Sequence, residues 1–372
     1  LLMSLKDQYW MQKALRLAIR GIGKVSPNPP VGCVIVKEDR VIGRGWTQPG
    51  GRPHAEVMAL QQAGQKAEGA TAYCTLEPCS HFGKTPPCCD ALIKAGISKV
   101  VVAAQDPDLR VNGRGIKRLR TAGLCVVENV CKEEASDIMR GFFNVCEFSR
   151  PYVTLKFGMS IDSRVAAVNG ESKWITGDVA RRSAHLLRAK NDAILTGIGT
   201  LLYDDPKLDC RLPGLEQHSP FRMLVDSKLR IPATSHFALT AKDRPTYIFT
   251  TEKSDAAKKD TLTDMGIKIF QVPCSEDGHV SMQRCLELMA EEGITTVLVE
   301  AGGYLASGLV KSNLVDKLVI YRAPMIIGGD GIAAWHPLGV EQLRMSKRFT
   351  IRNIERIGPD IIETYNRCTE AL

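Results

Sequence analysis

One His and two Cys in the first half of the chain have side chains that could bind zinc. The His opens an H-x-E motif, the first Cys follows a Pro, and the second Cys comes after eight intervening residues. They are His54, Cys79 and Cys88, with Glu56 two residues after the His. Imidazole and thiolate bind zinc well, and a catalytic zinc keeps three protein ligands and one water. Zinc lowers the pKa of such a water to about 7. Glu56 could then take its proton and pass it to a ring nitrogen and a departing amine.

This order is close to the signature of zinc nucleobase deaminases, although their two Cys are separated by only two residues. A structural zinc site is the sharper alternative, because Cys74, Cys89 and His81 could complete a closed set of ligands. The order of H-A-E and P-C, each at a strand-to-helix transition, favours the catalytic site. We expect Cys33, Cys74 and Cys89 to be packing residues and His81 to be a loop residue.

Two residues near this pattern could contact a substrate. Asn28 lies between two prolines ahead of the first predicted strand and could donate a hydrogen bond to a sugar or a base. Lys84 lies in the loop between Cys79 and Cys88 and could meet a phosphate. A plain turn and an exposed lysine are the corresponding alternatives.

The second half of the chain has a weaker signal for a phosphate-bearing ligand. No G-x-G-x-x-G follows a first strand, so the dinucleotide fingerprint is absent. At residues 299–303 a predicted strand ends in two glycines and a helix begins, and the free N–H groups of a helix N-terminus bind anions. Residues 197–200 are a second candidate loop. A tight strand-to-helix turn explains either segment equally well.

The composition indicates a globular protein. The chain has 372 residues, 44% of them hydrophobic, and 49 Lys and Arg against 41 Asp and Glu give a net charge of +8. This surplus of positive charge suits an anionic partner. The sequence contains no run of five or more basic residues, which argues against a nucleic-acid-binding patch. We see no apolar run long enough for a membrane helix and no secretory signal pattern. The twelve Cys therefore indicate a reducing compartment, with metal-bound or buried thiols.

Strand-like and helix-like segments alternate along the chain, which indicates an α/β fold. A helical pattern ends and a new strand begins near residue 150, so we predict domains of residues 1–149 and 150–372. The predicted strands are residues 31–36, 41–45, 70–75, 99–104, 152–157, 193–196, 222–225, 247–250, 296–300, 318–323 and 349–355. The predicted helices are residues 9–20, 55–63, 88–95, 115–122, 133–143, 179–189 and 304–311.

Longer runs carry a more specific resemblance. The first half contains P-N-P-P-V-G-C-V-I-V, P-H-A-E-V and T-L-E-P-C-S-H-F-G-K-T-P-P-C-C-D-A-L-I. The second half contains P-Y-V-T-L-K-F-G-M-S-I-D, E-S-K-W-I-T, A-I-L-T-G-I-G-T, D-D-P-K-L and V-E-A-G-G. In this order they resemble the bacterial riboflavin-biosynthesis bifunctional deaminase–reductase family over essentially the whole chain.

The resemblance implies a cytidine-deaminase-like α/β/α sandwich followed by a dihydrofolate-reductase-like α/β domain, whose mostly parallel sheet has an antiparallel C-terminal edge. The first domain would hydrolyse the ring 2-amino group of 2,5-diamino-6-(5-phosphoribosylamino)pyrimidin-4(3H)-one. The second would reduce the ribosyl chain to a ribityl chain, giving 5-amino-6-(5-phosphoribitylamino)uracil. The implied cofactors are Zn²⁺ and NADPH.

The resemblance also implies roles for individual residues. His54, Cys79 and Cys88 match the zinc ligands and Glu56 the catalytic proton shuttle. The positions matching NADPH contacts are Met159, Trp174, Thr200, Asp204, Ser227, Gly302, Gly303, Tyr304, Leu305, Ala306, Ser307 and Gly308. The positions matching substrate contacts are Ser172, Arg188, Leu208, Arg211 and Glu300 in the second domain and Asn28, Lys84 and Asp106 in the first.

Arg188 and Arg211 suit a phosphate, because a guanidinium group can form two parallel hydrogen bonds with it. Lys156, on the first strand of the second domain, is a further substrate-binding candidate that could polarise the ribose carbonyl, and a solvent-facing strand-edge lysine is the alternative. One position departs from the family pattern S-x-D-G, since this chain has Ser163 at the glycine. If that glycine needs a positive φ, Ser163 must adopt another turn or bear strain.

Two other functions stay open at this point. A tRNA or DNA nucleobase deaminase fused to an unrelated domain would need clustered arginines or aromatics near its pocket. A non-enzymatic, zinc-stabilised regulator that binds nucleotides would have a closed metal site. We expect a small phosphorylated pyrimidine as partner, no nucleic acid and no membrane, a homodimer or homotetramer, and a cytoplasmic location.

Overall fold

The chain forms two compact units, Leu1–Arg150 and Pro151–Leu372, in a computed structural model that describes residues 4–83, 85–275 and 278–368. The boundary lies one residue after the position that the sequence pattern indicates. Across these described residues, no helix combines the length and the apolar character needed to cross a lipid bilayer.

The first unit is built on a five-stranded sheet with the strand order β2-β1-β3-β4-β5. Strand β1 pairs antiparallel with both β2 and β3, whereas β3, β4 and β5 run parallel. The strands are β1 Gly32–Lys37, β2 Arg40–Trp46, β3 Thr71–Leu76, β4 Lys99–Ala104 and β5 Cys125–Val127. The helices are α1 Leu5–Ala18, α2 Ala55–Ala63, α3 Cys88–Lys94, α4 Arg114–Thr121, α5 Lys132–Ile138 and α6 Arg140–Phe148.

The apolar side chains of the first unit decide how its helices pack. The Ser4 side chain caps α1 by accepting a hydrogen bond from the Asp7 amide at 3.0 Å. Met11 and Ala14 then face β1 and β3 and are fully buried. The helices α1 and α2 approach the sheet so closely that glycine is required in the strands beneath them. At Gly32, for example, a Cβ would lie 2.0 Å from the Ala14 carbonyl oxygen of α1. The result is a core between the sheet and its helices, as in an α/β/α sandwich.

One predicted helix is divided in the structure. The pattern over residues 133–143 predicts a continuous helix, but α5 ends at Ile138 and α6 begins at Arg140. Met139, between them, has φ −99° and ψ 13° and is buried in the core. Its burial redirects the chain, and periodicity alone does not reveal such a break.

The second unit is built on a nine-stranded sheet with the order β11-β10-β9-β8-β12-β6-β13-β16-β15, plus a small β14-β7 pair. Its first strands are β6 Tyr152–Ser160, β7 Arg164–Ala166, β8 Ala193–Gly197, β9 Phe221–Val225, β10 Thr246–Thr251 and β11 Lys268–Val272. The later strands are β12 Thr296–Val299, β13 Lys317–Ala323, β14 Ile332–Ala333, β15 Phe349–Ile357 and β16 Asp360–Arg367. Its helices are α7 Asp178–Ala189, α8 Ile198–Asp204, α9 His236–Leu239, α10 Ala256–Asp264, α11 Met282–Glu291 and α12 Gly303–Lys311.

The large sheet is parallel from β11 to β13 and antiparallel at the β13-β16-β15 end. The expected mostly parallel sheet with an antiparallel C-terminal edge is therefore confirmed. Strands β8, β12 and β6 occupy its centre, and their apolar residues are fully buried, as parallel strands covered on both faces require. The carboxyl ends of these strands are where an α/β sheet binds ligands.

Ser163, which replaces the family glycine, does adopt a positive φ of 60°. Its amide donates to the Ser160 carbonyl at 3.1 Å, and its own carbonyl accepts from the Ala334 amide at 3.0 Å. The neighbouring Asp162 carboxylate accepts from the Gly328 amide at 2.8 Å. These bonds hold the turn, so the serine bears the backbone strain that the sequence comparison anticipates.

Replacing Ser163 with Gly should therefore stabilise the second unit by about 0.5–1 kcal/mol, because a Cβ at left-handed φ costs about 1–2 kcal/mol and added chain entropy offsets part of the gain. Thermal or urea unfolding of the full chain measures it. Ser163→Ala is the matched control, since it removes the hydroxyl and keeps the Cβ. A Gly variant no more stable than the Ala variant would contradict the strain at this turn.

Candidate functional site

The three predicted zinc ligands converge in the first unit because each lies where a regular element begins or ends. His54 is the N-cap of α2, Cys79 follows the end of β3, and Cys88 is the first residue of α3. Pro87 precedes Cys88 and provides the N-cap geometry of the short helix. The sheet thus delivers Cys79, and two helix starts deliver the other two side chains.

The donor atoms have the separations that a single zinc ion requires. Nδ1 of His54 lies 3.3 Å from Sγ of Cys88 and 3.8 Å from Sγ of Cys79, and all three ligand atoms lie within 4.8 Å of one another. Tetrahedral zinc with bonds of about 2.0–2.3 Å places its ligand atoms roughly 3.5–3.8 Å apart. The Cys88 thiol lowers the pKa of Cys79 to about 4 by hydrogen bonding, although burial raises it. This donor set fits zinc.

Glu56 lies in the first turn of α2, two residues after His54, and is buried. Burial raises the pKa of its carboxyl, and the nearby His54 charge opposes that shift. The Cys88 thiol also opposes the shift, as the smallest of these effects on the Glu56 pKa. A buried carboxyl with a raised pKa beside a metal site is suited to accept and return a proton.

The alternative of a closed zinc site does not match the arrangement. Within the described part of the chain, the group able to hold a metal comprises His54, Cys79 and Cys88. Cys89 instead donates its thiol to the Pro78 carbonyl at 3.1 Å. Cys33 and Cys74 are fully buried opposite each other in β1 and β3, with their sulfurs 3.8 Å apart. These three thiols are packing residues, as the sequence predicts.

Of the two loop candidates, Asn28 has a defined setting. Its Nδ2 donates to the Gly51 carbonyl at 2.8 Å, which fastens the loop before β1 to the segment that leads to His54. A Cβ at Gly51 would lie 1.9 Å from that Nδ2, and the φ of Gly51 is +85°. Glycine is therefore required there. Lys84 lies outside the described residues.

Two buried residues beside the zinc ligands carry information that sequence reasoning missed or left vague. The Glu77 carboxylate, in the T-L-E-P-C run, accepts hydrogen bonds from the amides of Asp106, Gly113 and Ile116 at 3.2, 2.9 and 3.1 Å. It thereby holds the segment after β4 against the Cys79 turn. Burial raises the pKa of Asp106 to about 7, and the charge of Cys79 adds to the shift. The run itself was the signal for Glu77.

His81, expected to be a loop residue, has a buried Nδ1 without a hydrogen-bond partner among the described residues. It lies near Asp108, whose pKa its charge helps to lower after the larger effect of Arg110. A buried imidazole nitrogen that lacks a hydrogen-bond partner and lies near a metal site is a candidate to contact a bound substrate.

In the second unit, three of the predicted substrate residues meet at the end of β12. Glu300 accepts from Arg188 Nε at 2.7 Å and Nη2 at 3.0 Å, and its Oε2 lies 3.5 Å from Lys156 Nζ. Burial alone would raise the pKa of Glu300, but the Arg188 and Lys156 charges outweigh it and hold that pKa far below its usual range. Lys156 lies on a central strand and is mostly buried, so the solvent-facing alternative is wrong.

The predicted NADPH residues partly line one large cavity of about 960 Å³. Gly302 is the N-cap of α12, and its amide donates to Thr200 Oγ1 at 3.1 Å. A Cβ at Gly303 would lie 2.7 Å from the Ala334 carbonyl oxygen, so only glycine permits this approach. The predicted residues that line the cavity are Thr200, Ser227, Gly302, Gly303, Tyr304, Leu305, Ser307 and Gly308.

The other predicted positions are not among the residues that line this cavity. Trp174 is 65% exposed beneath the Arg181 guanidinium, and Asp204 pairs with Lys173 at 3.6 Å. Ser172 lies in the same loop as Trp174 and is half-buried. Met159, Ala306 and Leu208 are buried in apolar clusters, so their side chains are packing groups in this structure. Arg211 is exposed and pairs with Asp209 at 2.6 Å.

Three basic side chains that sequence reasoning missed also line the cavity. Lys228 and Arg230 follow β9 beside Ser227, and Lys311 ends α12. Two basic residues in the short run after a predicted strand were the available signal. Together with the α12 N-terminus they give the cavity the positive charge that a dinucleotide phosphate needs.

Comparison with known proteins identifies a related family for each of the two units. Residues 4–104 match the family model described as cytidine and deoxycytidylate deaminase zinc-binding region, and residues 151–362 match the RibD C-terminal domain. The riboflavin biosynthesis protein RibD of Escherichia coli K12 is 40% identical over 96% of this chain and 98% of its own. The RibD of Aquifex aeolicus is 38% identical over 97% and 98%.

Solved structures give the same result. Acinetobacter baumannii RibD superposes with a TM-score of 0.88 at 37% identity, covering 98% of this chain and 99% of that one. A Thermotoga maritima diaminohydroxyphosphoribosylaminopyrimidine deaminase/5-amino-6-(5-phosphoribosylamino)uracil reductase superposes with a TM-score of 0.84 at 32% identity, covering 97% and 99%. The chain therefore belongs to the RibD family of riboflavin-biosynthesis enzymes, with a zinc-binding deaminase domain followed by an NADPH-dependent reductase domain.

Proposed function

We propose that this chain converts 2,5-diamino-6-(5-phosphoribosylamino)pyrimidin-4(3H)-one into 5-amino-6-(5-phosphoribitylamino)uracil in two steps, deamination and then reduction. The observation that carries the proposal is the convergence of His54, Cys79 and Cys88 within 4.8 Å beside the buried Glu56. The Thermotoga maritima relative is a deaminase/reductase with the same two activities.

For the deamination, we propose that His54, Cys79 and Cys88 hold zinc and that Glu56 moves the protons. Zinc supplies Lewis acidity to the attacking water when it is bound. The Glu56 carboxylate accepts a proton from the attacking water and gives it to the pyrimidine ring nitrogen. It then takes a second proton from the hydroxyl added to the ring carbon and gives it to the amino group, which leaves as ammonia. Its burial favours the protonated form, so the carboxylate accepts the water proton more readily.

For substrate binding in the deaminase domain, we propose Asn28, Asp106 and Lys84. The fixed Asn28 amide and the buried Asp106 lie on the segments tied to Gly51 and Glu77, so both are held by the framework of the zinc ligands. Asp106, with its pKa raised to about 7 mainly by burial, can donate or accept a hydrogen bond near neutral pH. His81 joins this set, since its buried Nδ1 lacks a partner among the described residues.

For the reduction, we propose that Lys156 polarises the ribose carbonyl and that Glu300 keeps it in place. NADPH supplies the hydride when it is bound. The Lys156 Nζ lies 3.5 Å from Glu300 Oε2, and Arg188 holds the Glu300 carboxylate in place through its own hydrogen bonds. An ammonium held in this way donates a hydrogen bond to an oxygen that gains negative charge.

The remaining reductase contacts follow the cavity and its surroundings. We propose that the cofactor is bound by Met159, Trp174, Thr200, Asp204, Ser227 and residues 302–308, with the cationic cavity residues beside them. We propose that the substrate is bound by Ser172, Arg188, Leu208, Arg211 and Glu300. Arg211 is exposed, so its guanidinium can turn from Asp209 to a phosphate.

We also propose a homodimer or homotetramer in the cytoplasm. Strand β15 ends the large sheet and exposes Ile351 and Ile354 at 66% and 52%. An exposed apolar edge strand favours pairing with a second copy. Cys79 and Cys88 must stay reduced to bind zinc, which is the reason for assigning a reducing compartment.

Changing Glu56 to Gln should abolish ammonia release, with a loss of at least about 10²-fold, because the amide cannot carry the proton. Zinc content by metal analysis and NADPH binding by fluorescence should remain. Supplying the deaminated intermediate should still oxidise NADPH, measured by absorbance. Wild-type protein that releases no ammonia and oxidises no NADPH with the diamino substrate would contradict the proposed function itself.

Changing Lys156 to Met should lower kcat for NADPH oxidation by roughly 10²-fold, because the hydrogen bond to the developing oxyanion is lost. Ammonia release should not change. Lys190→Met, at an exposed position after α7, is the matched control and should behave as wild type. Equal rates for the two variants would exclude a catalytic Lys156.

Replacing both Ile351 and Ile354 with Lys should shift the sedimentation mass of the full chain from a multiple of 40.8 kDa towards one copy. Burying two charges in an apolar interface is unfavourable. Leu239→Lys, at another exposed apolar position, is the control. A wild-type chain that sediments as a monomer would contradict the oligomer.

A further inference from the structure

One face of α7 contacts the segment that carries Arg211. His185 and Arg188 lie one turn apart on this helix, and both reach the backbone of residues 209–211. The predicted site residues include Arg188 and Arg211 but not His185. The imidazole is half-buried, with the two guanidinium groups close enough to affect its pKa.

The two backbone groups next to His185 Nδ1 require opposite protonation states of that nitrogen. Its Nδ1 lies 3.3 Å from the Arg211 amide nitrogen and 3.1 Å from the Asp209 carbonyl oxygen. That carbonyl already accepts from Arg188 Nη1 at 2.9 Å. An amide N–H can only donate, so pairing with Arg211 requires a lone pair on Nδ1 and a proton on Nε2.

The rest of the segment is fixed by other partners, which isolates the contribution of His185. The Cys210 amide donates to Ser219 Oγ at 2.9 Å, and Arg244 Nη1 donates to the Leu208 carbonyl at 2.9 Å. The acceptor for the Arg211 amide is His185 Nδ1. This bond therefore sets the direction in which the exposed Arg211 side chain leaves the backbone.

We propose that His185 is a positioning residue of the reductase substrate site, whose neutral imidazole accepts the Arg211 amide at Nδ1 and so aims the Arg211 guanidinium at the substrate phosphate. The inference rests on the proposed function in one respect, the phosphorylated substrate. It assigns to His185 no contact with the reacting atoms.

Three charged groups face His185, and their combined effect favours the neutral imidazole. They are Arg188 on the same helix, and Arg211 and Asp209 on the packed segment. Burial first, and then the two guanidinium charges, lower the pKa of His185, while Asp209 opposes them. Protonation would place a hydrogen on Nδ1 and turn it from an acceptor for the Arg211 amide into a donor to the Asp209 carbonyl. The positioning contact is thus present at neutral pH and is lost as the pH falls through the lowered pKa.

Three variants of the full chain test this role. Asn places its Oδ1 where Nδ1 lies, Gln places its amide one bond further out, and Leu has no acceptor. With NADPH and 5-amino-6-(5-phosphoribosylamino)uracil, His185→Leu and His185→Gln should raise the substrate KM about tenfold, since an amide loses its partner. His185→Asn should stay within about twofold of wild type. The KM for NADPH and the rate of ammonia release should change little in all three.

The pH profile supplies a second readout. The wild-type substrate KM should rise between neutral pH and about pH 5 by more than the His185→Asn KM does. The substrate phosphate also titrates, with a second pKa near 6, but it does so equally in both proteins. The difference between the two profiles therefore reports His185 alone.

Two kinds of failure are distinguishable. If wild type does not oxidise NADPH with this substrate, the proposed reductase function fails. If wild type is active but Asn, Gln and Leu raise the substrate KM equally, or leave it unchanged, the Nδ1 contact is not what positions Arg211. Identical pH profiles for wild type and His185→Asn would overturn the proposal in the same way.

Discussion

The deaminase domain depends on bringing one imidazole nitrogen and two sulfurs to within 4.8 Å of one another. The fold achieves this by ending β3 at the point where α2 and α3 begin, so that the chain contributes Cys79, His54 and Cys88 from three separate termini. The Cys88 amide also donates to Cys79 Sγ at 3.2 Å, which stabilises a thiolate in that position. Two sulfurs this close together are tolerated because Cys79 ionises readily, and zinc bound by both would favour the thiolate form of Cys88 as well.

The same constraint explains the buried carboxylates nearby. The turn bearing Cys79 lies outside the helices and strands, where an additional anchor stabilises it. Glu77 supplies it by accepting three backbone amides from the segment after β4. Gly115 permits this contact, because a Cβ there would lie 2.2 Å from the Pro78 carbonyl oxygen. A carboxylate with three amide donors is an inexpensive way to satisfy buried N–H groups, and it leaves Asp106 facing the zinc ligands with its pKa raised.

How much the sequence predicts depends on how far apart the partners are. The zinc site is carried by short motifs at strand-to-helix transitions, so residue types and spacing were sufficient to predict that His54, Cys79 and Cys88 meet. The Lys156–Glu300 and Arg188–Glu300 pairs span 144 and 112 residues and depend on the order of strands in the sheet. No local pattern shows that β6 lies between β12 and β13, so the burial of Lys156 could not be read from its neighbours. The break at Met139 was missed for a related reason, since the core that receives its side chain is formed by distant residues.

The charges of the reductase site limit what each group can do. Glu300 is surrounded by two cations that hold its pKa far below neutrality despite burial, so it stays ionised and cannot deliver a proton. Arg188 uses three of its five N–H groups on Glu300 and the Asp209 carbonyl, which makes it a fixed part of the framework. Lys156 is bound by one longer contact of 3.5 Å and has two further ammonium donors to offer. Lys156 therefore combines a position held by Glu300 with donors still available for an oxygen that becomes negative.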